Sequence, residues 1–259
     1  MTLCFRKWPL FLSLIVLAPH SAGAQQMPVL QPPLAEYSFP AKQTLTYSVD
    51  WRVFPAGTAV LHLEADGNRQ KVTATADTIG AITMIYRVSD KYQSSFDRKT
   101  GCSSGFSKQL IQGRRQISTD LRFDYAQGKS FLDEKNIVTG STKHEVASIP
   151  PCVTDLLSAI FYAASQPMHV GQSFQMPVGD SVHTIPVTMK VEGKEEIDSP
   201  TGAKYQTLRV QPTADAGVVK SRGNIWIWYT DDEHHTPVQM RARLFWGTII
   251  FRLTTIEQK

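Results

Sequence analysis

The chain has 259 residues, with 27 lysines and arginines against 23 aspartates and glutamates and a formal net charge of +4. An excess that small gives no charge-based reason to expect a nucleic-acid or other polyanion partner. No stretch approaches the roughly 18 consecutive apolar residues of a membrane-spanning helix, and the length suits one β-rich domain or two small ones.

The chain opens with MTLCFRKWPLFLSLIVLAPHSAGAQQ. Arg6 and Lys7, the apolar run from Leu10 to Leu17 and the small residues Ala22-Gly23-Ala24 predict a secretory signal peptide over residues 1–24, cleaved after Ala24. Cys4 precedes the apolar run rather than following the cleavage site, which argues against lipid anchoring. The expectation is an exported protein of the periplasm, with a mature net charge of about +2 and no transmembrane segment. Residues 25–40 carry Pro28, Pro32, Pro33 and Pro40 without an apolar period, so they are expected as an extended lead-in to a single β-rich domain over 41–259.

Alternation with period two then dominates. Leu45, Tyr47, Val49 and Trp51 share one face of the first strand, and Ala59, Leu61, Leu63 and Ala65 one face of the second. DGNR marks a hairpin turn before KVTATADT. Further strands are expected near 84–97, 103–112, 115–125, 130–139, 172–178, 182–192, 203–212, 218–230, 236–245 and 248–256. About a dozen strands with hairpin-length connections and no βαβ alternation predict a curled antiparallel sheet, a barrel or half-barrel.

One segment departs from this pattern. Val153, Leu156, Leu157, Ile160, Phe161 and Ala164 fall on one helical face between Pro150-Pro151 and Pro167, predicting a short central helix over 153–165 that plugs or covers the apolar side of the sheet. Thr154 is placed to cap it, and Asp155 lies where the helix dipole favours a carboxylate. Beside it, Cys152 and Cys102 are the cysteines left after cleavage. In an oxidising compartment a disulfide between them is the economical reading. A thiol nucleophile would need a base that the sequence does not indicate; two unpaired thiols are the remaining alternative.

The richest polar cluster is WIWYTDDEHHTP, Trp226 to Pro237. A metal site would use Asp231, Asp232, His234 and His235, but adjacent strand residues point to opposite faces, so a solvated turn is the simpler expectation. Trp226 and Trp228 share a face and Ile225, Ile227 and Tyr229 the other, so this strand is apolar on both sides; it is either core or the wall of a ligand cavity. Asp90 falls on a face with Tyr86, Val88, Tyr92 and Phe96, with Lys108 diagonal to it across the next strand. An internal ion pair is the plain reading there, ligand recognition or acid–base work the sharper ones. His62 and His183 sit at surface strand positions, and Arg114-Arg115 and Arg241/Arg243 are small basic patches on solvated faces. No GxSxG, Walker loop, GxGxxG or HExxH motif is present, so no catalytic residue, metal ligand or cofactor is assigned.

Taken in order, YSVDWRVFPAGTAVLHL, VSDKYQSSFD, DLLSAIFYAAS, VEGKEEIDSPTGAKYQTLRVQP and IWIWYTDDEHHTPVQMRAR resemble the exported bacterial family known as domain of unknown function 3108, over residues 43–256. The resemblance implies a Gram-negative envelope setting and a β-rich fold with one short central helix; it implies no activity, cofactor or catalytic residue. This chain has Ala163-Ala164-Ser165 where relatives often carry an arginine, so a ligand role for that arginine would not carry over. The function expected is non-enzymatic: binding of an apolar or amphipathic small molecule in the concavity, with Trp226, Trp228, Asp90 and Phe161 as cavity lining and small inward residues Ala59, Ala74 and Ala76 leaving space. This last expectation also draws on an analogy with lipoprotein carriers. The alternatives are docking of an envelope protein by a side-filled core with open strand edges, and cell-wall hydrolysis.

Overall fold

A computed structural model describes residues 27–221, 224–245 and 247–258; the expected signal peptide lies outside them. Eight strands follow one another as a meander: β1 (Lys42–Trp51), β2 (Phe54–Asp66), β3 (Arg69–Thr78), β4 (Ser89–Asp97), β5 (Ser103–Gln112), β6 (Arg115–Asp124), β7 (Lys129–Asn136) and β8 (Thr142–Ser148). The short helix α1 (Gly80–Ile85) lies between β3 and β4. After β9 (Thr154–Asp155) and helix α2 (Ser158–Ala164), a second meander comprises β10 (Ser173–Gly179), β11 (Thr184–Asp198), β12 (Lys204–Thr213), β13 (Asn224–Thr230), β14 (Pro237–Leu244) and β15 (Gly247–Gln258). Helix α3 (Gly217–Ser221) precedes β13.

Antiparallel pairing of β15 with β1 joins the two meanders into one sheet of 15 strands, ordered β8 to β1 and then β15 down to β9. Every neighbouring pair is antiparallel except β9 with β10. The ladder does not close. Its ends meet instead by packing: Leu121, Phe123 and Leu132 of the first meander form a cluster with Val153, which precedes β9, and Val182 of the β10–β11 turn. Gly179 permits that approach, because a Cβ there would lie 2.5 Å from the Phe123 ring. The wall is barrel-like, with β8 left as a free edge.

Helix α2 fills the interior. Leu157 and Phe161 belong to one apolar cluster with Leu45, Tyr47, Ala59 and Ala74, whereas Ala159, Tyr162, Ala163 and Ala164 belong to another with Val187, Leu208 and Tyr229. The helix is therefore buried on nearly every side, and the space expected beside Ala59, Ala74 and Ala76 is occupied. Its C-terminal carbonyls are satisfied from outside the helix: Leu34 N–H donates to Ser165 O, and His235 Nδ1 lies 2.8 Å from Ala164 O and donates to it. The lead-in packs on the same helix, with Leu30 and Phe39 buried and Tyr162 hydroxyl donating to Gln31 O.

The helix is shorter than the 153–165 expected. Asp155 Oδ1 accepts the N–H groups of Leu157 and Ser158 at 2.9 and 3.0 Å, which turns the chain and leaves Thr154–Asp155 free to pair with Val178–Gly179. Asp155 does sit at the start of the helix, but it acts through direct hydrogen bonds; Thr154, expected as the cap, is in β9. Oδ2 accepts the hydroxyls of Ser103, at 2.6 Å, and Ser94. The carboxylate is completely buried. Immediately beside it, Cys102 and Cys152 form the disulfide, with Cα atoms 5.2 Å apart, and Ser103 N–H donates to Val153 O.

Other departures have local causes. The strand expected from residue 84 begins at Ser89, because residues 80–85 form α1, which buries none of its side chains and so leaves no core signature. The strand expected over 218–230 begins at Asn224 after α3. Strand β8 was not foreseen: Thr142, Lys143, His144 and Glu145 give it no apolar alternation, as suits an edge.

Reducing the Cys102–Cys152 bridge, which closes a separation of 50 residues, is expected to lower the unfolding free energy by about 3–4 kcal/mol in the chain-entropy view. Asp155→Ala strands two backbone and two hydroxyl donors and is expected to cost about 3–5 kcal/mol, against about 1 kcal/mol for Ser94→Ala. Urea midpoints at constant slope measure both.

Candidate functional site

Strand register builds a graded inner face on β5 to β8. One transverse row runs Tyr92, Lys108, Thr119, Glu134, Lys143, each residue directly opposite the next. The adjacent row runs Phe106, Leu121, Leu132, Glu145. An apolar floor thus lies beside a charged shelf. The β10–β11 turn, Asp180 to His183, stands over both rows and encloses a cleft of about 300 Å³.

Several of its polar groups engage one another. Lys143 Nζ lies 3.0 Å from Glu145 Oε2, Thr119 Oγ1 donates to Glu134 Oε2 at 3.0 Å, and Ser181 Oγ donates to Asp180 Oδ1 at 3.1 Å. Phe106, Leu121, Leu132 and Val182 are buried and give the floor no polar group. Such a lining can hold a short apolar tail on the floor and a polar head against the shelf. Two other hollows are less suited. One of about 440 Å³ is lined only by the consecutive strands β3 to β6, so no second element encloses it. The other, of about 200 Å³, lies between the lead-in, α2 and the β13–β14 turn.

The four residues expected to line a cavity do not surround one space. Trp226, Trp228 and Phe161 pack in a single apolar cluster, and Trp228 is buried, its indole N–H donating to Glu195 Oε1 at 2.7 Å under the Arg241 guanidinium. Phe161 also lines the smallest hollow, beside Tyr37 and His235. Both Trp228 and Tyr229 are buried, so β13 is covered on its two faces as the doubly apolar sequence requires. Asp90 lies elsewhere: the Ile111 N–H and Gln112 Nε2 donate to it at 3.1 and 2.6 Å, and Tyr92 hydroxyl at 3.2 Å. Register does place Lys108 diagonal to Asp90, opposite Tyr92, but the carboxylate is held by these neutral donors and Lys108 lines the cleft.

The Asp-His cluster is a turn. Asp232 Oδ1 accepts from Thr230 Oγ1 and from the N–H groups of His234 and His235, Asp231 pairs with Lys194, and His235 is committed to the helix end. His62 is engaged with Thr44 Oγ1 on the sheet surface, whereas His183 lies in the turn over the cleft. Buried tyrosines serve as fixed donors. Burial raises the Tyr125 phenol to about 12, with the Asp155 charge contributing, and its hydroxyl donates to Ser103 O and Val153 O at the seam.

Sequence reasoning missed the cleft because its shelf needs β8. The available signal was Glu134, charged at a position that alternation with Ser130 and Leu132 assigns to the inside.

No curated protein matches the chain in sequence. A β-barrel-like protein of the domain of unknown function DUF1849 from Brucella abortus has a similar fold, with 8% identity and a TM-score of 0.56 over 85% of this chain and 98% of that one. A Bacteroides fragilis protein of YmcC-like fold, described as inferred to be exported, aligns at 8% identity over 86% of this chain and 98% of its own, with a TM-score of 0.37. The family described as protein of unknown function (DUF3108) matches residues 46–254, and on that match the chain belongs to the DUF3108 family.

Proposed function

We propose that the protein is a non-enzymatic component of the periplasm that holds the apolar part of a small amphipathic molecule in the cleft at the seam of its sheet. One observation carries the reading: the cleft joins a floor of Phe106, Leu121 and Leu132 to a charged shelf of Lys108, Glu134 and Lys143. Its volume of about 300 Å³ stands at the lower end for small-molecule sites, which favours a short chain or single ring. The periplasmic setting is supported by the signal-peptide pattern and by a disulfide, which persists in oxidising compartments.

The filled interior favours a second reading, docking of an envelope protein along the free edge of β8. Against it, Lys143 and Glu145 face inward on that edge, an arrangement that discourages strand addition.

Native mass spectrometry of protein released gently from envelopes is expected to retain an added mass, and an apolar fluorescent probe such as N-phenyl-1-naphthylamine to compete with it. Leu132→Trp, which fills the floor, should reduce probe affinity about tenfold while Trp226→Phe, outside the cleft, leaves it unchanged. Equal affinity in both variants would remove the cleft as the site.

A further inference from the structure

One end of the barrel differs from the other in the side chains its turns expose. The β1–β2, β3–β4, β5–β6, β7–β8 and β14–β15 turns share this end, and backbone hydrogen bonds join them into a continuous rim. Arg52 N–H donates to Thr248 O, Ile79 to Ala56 O, Gly113 to Arg87 O and Ile137 to Gln116 O.

Successive turns of this rim expose large apolar side chains. Val53 and Phe54 project from β1–β2, Ile79, Met84, Ile85 and Tyr86 from the α1 segment, Ile137 and Val138 from β7–β8, and Phe245 from β14–β15. Met84 is 89% exposed, Ile85 80% and Phe245 fully. Single exposed apolar residues are ordinary on a protein surface, but a grouping of this kind marks an interaction surface. Helix α1 buries none of its own side chains.

Cations accompany them. Arg52, Arg87, Arg114, Arg115 and Arg243 are exposed on or beside the same turns, and Lys220 is exposed on α3. The acids nearby are Asp50, paired with Arg252, Asp77, hydrogen-bonded by Ser89, the buried Asp90 and Asp180, and Asp215. At the opposite end, the β2–β3, β4–β5, β6–β7, β11–β12 and β13–β14 turns expose no large apolar side chain. With the flanking strand ends they carry Asp66, Asp97, Asp124, Asp198, Asp231, Asp232 and Glu233 against Arg69, Arg98, Lys99, Lys129 and Lys204. The molecule thus has an apolar, cationic end and a polar, acid-rich one.

We infer that the apolar, cationic rim docks on the surface of an anionic phospholipid bilayer. Aliphatic and aromatic side chains on short turns enter the headgroup region, arginines at their flanks meet lipid phosphates, and the acidic end is directed away by the same field. The contact is peripheral: among the described residues no helix is long and apolar enough to cross a membrane. A protein partner of matching shape would be served by the apolar turns alone; arginines on or flanking the β1–β2, α1 and β14–β15 segments, with Arg115 beside the β7–β8 turn, favour lipid.

The test is sedimentation of the full mature protein with vesicles of phosphatidylcholine alone or mixed with phosphatidylglycerol. Binding is expected to the mixed vesicles only, to weaken as salt rises, and to fall about fivefold for each of Arg87→Glu and Arg114→Glu. The pair Met84→Ser and Ile85→Ser should also weaken it, whereas Lys99→Glu at the opposite end should not. These residues are exposed, and unchanged circular dichroism and melting temperature verify folding in each variant. Failure to sediment with anionic vesicles would overturn the inference, as would binding that ignores the rim substitutions, or rim-dependent association with a protein while vesicles are left unbound.

Discussion

The buried carboxylate of Asp155 is the contact on which the rest of this architecture depends. It collects two backbone N–H groups at the start of α2 and two serine hydroxyls from β4 and β5, so one side chain orients the interior helix against the first meander. Thr154 and Asp155 at the same time pair with β10, which ties the second meander to that point. The disulfide at Cys152 and the Ser103–Val153 hydrogen bond lie one or two residues away. A buried charge without its donors would cost several kcal/mol, so the geometry around it is strongly constrained.

With the helix held there, the sheet has to curl around it. Tyr229 hydroxyl donates to Ile160 O and His235 caps the helix end, so strands of the second meander are fastened to the helix by side chains directed inward. The cleft is what remains beyond the helix, beneath the β10–β11 turn: the sheet continues through β7 and β8, but the apolar interior ends with the cluster of Leu121, Leu132 and Val182. Beyond that cluster, inward positions become charged. Apolar residues there would have been exposed at a free edge, with the aggregation hazard that brings.

The polarity of the two ends arises separately, in the turns. Because consecutive hairpins reverse direction, every second turn falls at the same end, and residues far apart in sequence such as Phe54, Met84, Val138 and Phe245 come to share one rim. A near-neutral total charge hides this arrangement. Arg114 and Arg115, which as a pair look like an ordinary solvated face, acquire a different meaning beside Arg87 and Arg52.

Local pattern in the sequence was enough to specify most strands, the disulfide partners, the central apolar segment and the double burial of β13. Each follows from side-chain alternation or from a chemistry confined to a few residues. The same local rules misplace α1 and pass over β8, since one buries nothing and the other opens on four polar residues with no apolar alternation. They also cannot tell a wall of a cavity from a filled core: Trp228 and Phe161 have the same pattern in either case, and only the position of α2 decides between them. The full role of Asp155 belonged to the tertiary structure as well, because two of its four donors, Ser94 and Ser103, come from strands some 50 to 60 residues earlier in the chain. Burial, cross-strand register and the grouping of turns are properties of distant segments brought together, and a period measured along one segment carries no information about its neighbours.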